Sequence, residues 1–407
     1  MSDTDRAVLG AVVFAVLFAQ VLLYPGIPDL VVALDASPAG WNGDVGAILS
    51  AGKWFLTAEF AGFVLCAGLW GALSDATGRR TPLVAAGAIL GGVGYLSLAV
   101  APRVVTVPYE VVLVVRFLQG VATIGAFSLA ITTLMDLDGG HGRNMGAAGL
   151  AIGLGTAVGS PVGGQLYGLG PFVPLYVAAA VLFAVGGLAT VASDRTSGRS
   201  RRLRAAVETL WRRRSLAVPF AFGFVDRLTA GFFALVGTVY FQSELGLDPG
   251  GTGLLLGAFF VPFALLQYPF GRLSDRIGRV LPVAAGSLAY GLTIVGVFYA
   301  PTVPTAGVAM VLVGVTGALV APATMALVTD LASGDERGVA MGGFNVFGSL
   351  GFLTGIVGGA TVAGRVSFEA AFLAVGLAEV VIAVVAVPFL LGLDLPASGL
   401  RGQDLTR

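Results

Sequence analysis

The sequence predicts an all-α membrane protein with twelve transmembrane helices in two six-helix halves that are copies of one another. Three observations carry this expectation. Of 407 residues, 56% are hydrophobic and only 11% charged, where soluble domains average about 25% charged, so the excess apolar surface needs lipid to cover it. Apolar runs of about 20 residues, punctuated by charge and turn residues, recur twelve times. The polar stretch GALSDATGRRTPL at 71–83 returns as GRLSDRIGRVLPV at 271–283, each copy between two apolar runs.

The expected spans are 7–33, 45–71, 81–101, 108–135, 144–168, 171–192, 216–241, 251–271, 281–300, 304–330, 339–362 and 368–393. They give an N-terminal bundle at 1–192, a basic linker at 193–215, a C-terminal bundle at 216–393 and a tail at 394–407. The first run starts almost at Met1, is too long for a signal-peptide core and carries no convincing cleavage signal, so it is expected to be retained. The linker holds Arg195, Arg199, Arg201, Arg202, Arg204, Arg212, Arg213 and Arg214, with Leu203, Val207, Leu210 and Trp211 at helical spacing. It is either an amphipathic helix on an anionic membrane face or a solvated charged connection.

Within the repeated stretch, Gly71, Asp75, Gly78, Arg79 and Arg80 are expected in a short polar turn, as are Gly271, Asp275, Gly278 and Arg279. Gly78 and Gly278 suit a positive φ, and Gly71 and Gly271 suit a close approach of two helix ends. Asp75 with Arg79, and Asp275 with Arg279, stand four apart and can pair. The ends of spans 4 and 10 echo each other as well: Asp136, Leu137 and Arg143 match Asp330, Leu331 and Arg337 in spacing. Ion pairs across such a seam favour one closed state and must break on opening. Exposed pairs contribute only about 0–1 kcal/mol each, so a gate needs several, partly buried.

Charge sets orientation and excludes other classes. With both termini inside, Arg6, Arg79, Arg80, Arg143, the linker arginines, Arg272, Arg276, Arg279, Arg337, Arg401 and Arg407 face the cytoplasm, and only Arg103 and Arg365 face out. Zero net charge and one histidine argue against a nucleic-acid partner. The single Cys66 forms no intrachain disulfide and makes a metal site an unlikely fit. His141 is expected as a lone solvated loop residue. No nucleotide loop or metal cluster points to an enzyme, and no cofactor is implied.

The repeated loop resembles the signature loop of the major facilitator superfamily, which lies between helices 2 and 3 and again between helices 8 and 9. The resemblance implies the major facilitator fold, two pseudo-symmetric bundles, and pairing of Asp136 with Arg79 at a cytoplasmic gate. Arg116, Phe117, Leu118, Gln119, Gly120, Val121 and Ala122 are similar to the superfamily's helix 4 motif. An arginine at that depth costs about 2.5–3.5 kcal/mol on insertion scales, so it should face a polar cavity. It either acts on a nearby acid in proton coupling or forms a structural ion pair.

Gly146, Gly155, Gly159, Gly163 and Gly164 fall at the spacings of the superfamily's helix 5 antiporter motif, with Ser160 at the usual proline position and Pro161 one place later. The segment is either a flexing hinge or a plain packing stripe, and span 11 carries a comparable stripe at Gly348, Gly351, Gly355, Gly358 and Gly359. The full motif accompanies export against protons. Tyr24, Pro25 and Pro28 resemble the end of helix 1 in twelve-helix drug exporters, where prolines break a cavity-lining helix. No acid stands at mid-depth of span 1, where several such exporters keep one.

The intramembrane charges are Lys53 and Glu59, Arg116, Asp226 and Arg227, and Glu379. Lys53 and Glu59, six apart, do not share a helix face, so each needs a partner from another span. A carboxylate at either Glu59 or Asp226 can take up and release a proton, which makes Glu59, Asp226, Arg116, Arg227 and Lys53 the proton-coupling candidates. By family architecture helix 12 is peripheral, so Glu379 is expected to be structural or to be partnered with protein at the helix surface. Tyr24, Trp54, Gln119, Phe232 and Phe233 are the substrate-cavity candidates. Phe14, Phe18 and Tyr240 join the aromatics that would suit a large apolar substrate, although at least half of these rings fit lipid-facing or interfacial roles.

The resulting expectation is a secondary transporter: proton-coupled export of hydrophobic or amphipathic small molecules by alternating access, from a monomer in the plasma membrane with small-molecule substrate, protons and lipid as partners. The alternatives are a sugar or organic-anion transporter of the same fold, or a non-transporting receptor or scaffold.

Overall fold

The computed structural model describes residues 3–34, 44–137, 141–191, 214–332 and 337–391, without the side chains of 141–143, 145, 214 and 337–339. The expected linker at 193–215, apart from a short turn Arg214–Leu216, and the tail at 394–407 lie outside the described residues. Among the described residues there are twelve apolar helices and no strand. In order they are α1 (Asp3–Ala33), α2 (Val45–Thr77), α3 (Thr81–Val104), α4 (Tyr109–Met135), α5 (His141–Tyr167) and α6 (Val173–Ala189). The second six are α7 (Ala217–Ser243), α8 (Pro249–Ile277), α9 (Val280–Phe298), α10 (Val303–Leu331), α11 (Arg337–Arg365) and α12 (Phe368–Leu391). All but α6, at 17 residues, are long and apolar enough to cross a bilayer core.

Local sequence explains where these helices start and break. The Asp44 carboxylate accepts the Ala47 N–H at 2.6 Å and caps α2. Thr302 and Thr305 form a reciprocal capping box at the start of α10. Tyr24 and Pro25 interrupt α1, as expected: the α-helix ends at Val21, a tight turn covers Tyr24–Gly26, and helix resumes from Ile27. In α7 the turn Phe233–Gly237 is a wide, π-helical one that no sequence signal announced.

The polar turns are shorter than the sequence suggested. Helix α2 continues to Thr77 and α8 to Ile277, so Gly71, Asp75, Gly271 and Asp275 are helical and only Gly78–Arg80 makes the first turn. No proline or glycine stands between 72 and 77, and nothing obliges a helix to stop where lipid ends. It stops where glycine turns left-handed, at Gly78 (φ 64°) and Gly278 (φ 88°). Gly71 faces open space and Gly271 makes only an ordinary 3.6 Å contact with Pro322, so neither serves a close helix approach. His141 opens α5 rather than sitting in a loop.

Packing repeats between the halves. Helix α1 lies on α5 as α7 lies on α11, and α3 touches α4 and α6 as α9 touches α10 and α12, whereas the close α2–α4 contact has only a slight counterpart where Phe263 of α8 meets Gly317 of α10. Small residues set these contacts. A Cβ on Gly155 would stand 2.8 Å from the Phe14 carbonyl and one on Gly159 3.1 Å from the Phe18 carbonyl, and Gly163 lies against Leu22, so the α5 stripe is the seat of α1. Gly351 and Gly355 of α11 lie likewise against the Phe224 and Leu228 carbonyls of α7. Gly146 touches nothing beyond its own helix.

By packing, the chain divides into two compact units, Met1–Ser200 with Ala234–Val261, and Arg201–Phe233 with Pro262–Arg407. The first unit therefore takes the outer ends of α7 and α8, which a division by sequence alone assigns to the second half. Backbone contact explains it: Gly253 would meet the Ser160 carbonyl at 2.6 Å through an added Cβ, Pro161 sits on Gly257, and Gln242 donates to the Pro25 carbonyl at 2.7 Å.

Gly78→Val places a β-branched residue in left-handed backbone and should cost roughly 1–2 kcal/mol, whereas Gly71→Ala should leave stability unchanged. Thermal unfolding of the detergent-purified protein checks both, and an equal loss from Gly71→Ala would contradict the assignment.

Candidate functional site

The first unit buries an ion pair. Arg116 of α4 (0% exposed) donates through Nη2 to the Glu59 carboxylate of α2 (1% exposed). Its Nη1 donates to Gln119 Oε1 at 2.9 Å and its Nε to the Phe55 carbonyl at 3.5 Å. The guanidinium lies 4.3 Å from the Phe55 ring centre and 5.9 Å from that of Tyr95 in α3. Gln20 and Tyr24 of α1 stand beside Glu59. The Nε2 amides of Gln20 and Gln119 are buried without a hydrogen-bond partner.

Glycine makes this pairing possible. Gly120, inside the arginine motif, presses against the Glu59 backbone so closely that an added Cβ would overlap its carbonyl. One turn on, a Cβ at Gly62 would stand 2.5 Å from the Phe117 carbonyl and 2.7 Å from the Val121 nitrogen. The α2 and α4 backbones therefore touch at the depth of the charges, and a long arginine folds back along the seam. In α3, Gly94 clears room for Gln119, whose Cβ would be 2.9 Å from a Cβ there.

Other candidates fall elsewhere. Lys53 is half-buried, lies 5.3 Å over the exposed Trp54 ring, and does not join the Glu59 cluster. Its partner comes from its own helix rather than from another span. Phe232 and Phe233 are fully buried against each other and Phe372 of α12, with the Phe232–Phe372 centres 4.8 Å apart, so they fill a core rather than line an opening. Tyr240 packs on Phe241, and Phe14 stacks on Phe18. Asp226 and Arg227 of α7 are half-buried in the second unit, the Arg227 stem lying over Gly348 of α11.

Glu379 is fully buried rather than at the helix surface, and its protein partner is the Ser287 hydroxyl of α9, which donates to it at 2.6 Å. Gly291 and Gly376 bring the α9 and α12 backbones into contact and close the surface over it.

The loop pairs differ between the copies. Asp136 pairs with Arg80, not with Arg79, whose side chain is exposed, and Asp75 and Arg79 do not pair. In the second copy Arg279 bonds Asp275 at 2.5 Å, as expected, and Asp330 at 3.0 Å. Position 280 is valine where 80 is arginine, so the second turn has one arginine for both acids. Partial burial alone would pull the Arg279 guanidinium down, but its bonds to Asp275 and Asp330 outweigh that and hold it above the usual arginine value. The Arg143 and Arg337 side chains lie outside the described residues.

Sequence reasoning missed Gln20, Phe55 and Tyr95 in the Glu59 cluster. Gln20 had a signal: it is the lone amide or charge in the apolar run Ala7–Leu23. The aromatic pair had none, because a ring beneath a guanidinium looks like any other core ring.

Twelve apolar helices packed as two repeats around buried charge define a polytopic membrane transporter. The sequence profile of the Major Facilitator Superfamily matches residues 9–240 and 220–404, and the chain belongs to that superfamily. It is 30% identical over 137 residues to the uncharacterized MFS-type transporter MJ1560 of Methanocaldococcus jannaschii, covering 33% of this chain and 35% of that protein. It is 32% identical over 133 residues to Multidrug resistance protein 2 of Bacillus subtilis, covering 30% of this chain and 31% of that protein. The matched stretch thus spans about a third of each of these curated relatives. The crystal structure of the nucleoside transporter NupG has the same fold, with a TM-score of 0.74 over 95% of this chain and 99% of that one at 14% identity.

Truncating either member of the Glu59–Arg116 pair should cost about 3–5 kcal/mol, because a buried charge loses its partner, and Glu59→Gln combined with Arg116→Gln should cost less than the two singles together. A double-mutant cycle on thermal unfolding measures this, and strictly additive losses would show that the pair contributes no coupling.

Proposed function

We propose that this transporter exports hydrophobic or amphipathic small molecules in exchange for protons, by alternating access of two six-helix bundles at 1–192 and 216–393. The observation that carries this reading is the buried Glu59–Arg116–Gln119 cluster in an otherwise apolar bundle. A carboxylate held by one guanidinium has two stable arrangements. Unprotonated, it binds the arginine; protonated, it releases it, and the freed guanidinium turns to another acceptor. A change of one proton thereby becomes a change of side-chain contacts, the coupling that antiport needs. Asp226, half-buried beside Arg227, supplies a matching group in the other bundle.

Three further features support export of apolar substrates. The helix 5 glycines keep the spacing of the superfamily's antiporter motif, with Ser160 in place of its proline. The likeness to Multidrug resistance protein 2 points the same way. The broken outer end of α1 at Tyr24–Pro25 matches the drug exporters' ending of that helix. The basic residues that gather at the loop ends carrying Arg80 and Arg279 support a reading with both termini in the cytoplasm, and the proposal takes the transporter as a monomer of the plasma membrane.

The protein reconstituted in liposomes with an imposed pH gradient should move a lipophilic cationic dye against its concentration. Glu59→Gln and Asp226→Asn should each remove most of the pH-driven component, and together all of it, while downhill dye movement persists. Gradient-driven movement unchanged in the double variant would sink the proposal, and movement of nucleosides or carboxylates in place of the dye would redirect its substrate class.

A further inference from the structure

Glu379 is a fully buried acid that the reading above does not use. Its Oε2 accepts the Ser287 hydroxyl, whereas its Oε1 is buried with no hydrogen-bond partner. The buried Thr229 hydroxyl of α7 stands beside both the Glu379 carboxyl and the Tyr290 hydroxyl. Among the described residues, the side-chain groups that interact with the carboxyl or with Tyr290 beside it present oxygen. Ser287 and Tyr290 come from α9, Asp226 and Thr229 from α7, and α11 carries no charged residue between Ala340 and Gly364. Asp226 acts electrostatically on both Glu379 and Tyr290. Arg227 lies along Gly348 of α11, and no cation pairs with Glu379 among the described residues.

A bare carboxylate in such surroundings costs several kcal/mol, and the Glu59 solution, a guanidinium from the neighbouring helix, is missing. We propose that Glu379 is a second proton-holding site, filled and emptied through Asp226 with the Thr229 hydroxyl as the bridge. Thr229 stands three residues after Asp226, on the same face of α7. An acid proton on Asp226, taken from water, passes to Thr229 Oγ1 as Thr229 gives its own hydroxyl proton to Glu379 Oε1. One proton moves; Glu379 becomes the neutral acid and Asp226 the carboxylate. Two like charges this close favour one shared proton over none. The inference rests on the proton-coupled reading, but adds a site that the Glu59 cluster does not contain.

Infrared difference spectroscopy of the reconstituted protein, stepped in pH without substrate in sodium-free choline buffer, tests it. A protonated-acid carbonyl band should be present in the native protein and in Glu59→Gln, and lost in Glu379→Gln, whose amide keeps the Ser287 bond. Thr229→Val should keep the band but slow its deuterium shift after transfer to heavy water. A band unaffected by Glu379→Gln would overturn the proposal, and so would a band that vanishes when sodium replaces choline, which would make this a sodium site. If Glu379→Gln does not fold, Ser287→Ala, which removes the donor to the carbonyl, should raise the band's frequency, and no shift would equally overturn the proposal. Because no substrate is present, failure of dye export with this band intact speaks against the export reading alone.

Discussion

The contact between the α2 and α4 backbones at Gly62 and Gly120 is the constraint on which the first unit depends. Each charge of the Glu59–Arg116 pair would cost about 2.5–3.5 kcal/mol to place alone at that depth. Their attraction offsets this only if the geometry is close and the remaining donors are satisfied. Both conditions are met by backbone proximity: the pair forms because glycine lets the helices touch, and Gln119, the Phe55 carbonyl and two rings absorb the rest of the guanidinium. A larger residue at 120 would separate the charges before it disturbed any apolar contact.

The two halves share their helix pairings and differ in their chemistry. Glycine stripes on α5 and α11 seat α1 and α7 in the same manner, and both motif loops end their helix on a left-handed glycine. The buried acids are answered differently: an arginine for Glu59, and a serine hydroxyl for Glu379. Duplication has therefore fixed the small residues that let backbones meet and left the polar side chains to diverge. The result is an asymmetric charge arrangement on a symmetric scaffold.

What the sequence disclosed follows from this division. Apolar length and the repeated loop were enough for helix count and duplication, because both are properties of the chain itself. The need of Glu59 for a partner on another helix was readable, since an acid in an apolar run has no other means of being tolerated. Its shell was less so: Gln20 stood out as a lone amide, while Phe55 and Tyr95 looked like core. The Arg79 expectation missed by one residue because a turn of three residues permits either arginine to reach Asp136, and only the backbone direction after Gly78 decides. The depth of Glu379 was not legible, because a span's hydropathy does not reveal which face another helix covers. That depended on Gly291 meeting Gly376, two glycines 85 positions apart whose proximity no local pattern announces.

The energetics also bear on where any opening motion must be resisted. The loop pairs of Arg80 with Asp136 and of Arg279 with Asp275 and Asp330 are largely exposed on the acid side, and such pairs contribute about 0–1 kcal/mol each. They orient the turns but cannot by themselves hold helices together. The outer ends of α1, α5, α7 and α8 meet instead through backbone: Gly26 beneath the Tyr167 ring, Gly164 against Gly253, and the Pro25 carbonyl accepting from Gln242. Glycine-on-glycine contacts bury main chain without immobilising side chains, so they form at low entropic cost and part without leaving trapped rotamers. Those ends are therefore held by main-chain packing, which the loop ion pairs alone do not provide. The wide turn of α7 at Phe233–Gly237 stands where that helix passes from one compact unit to the other.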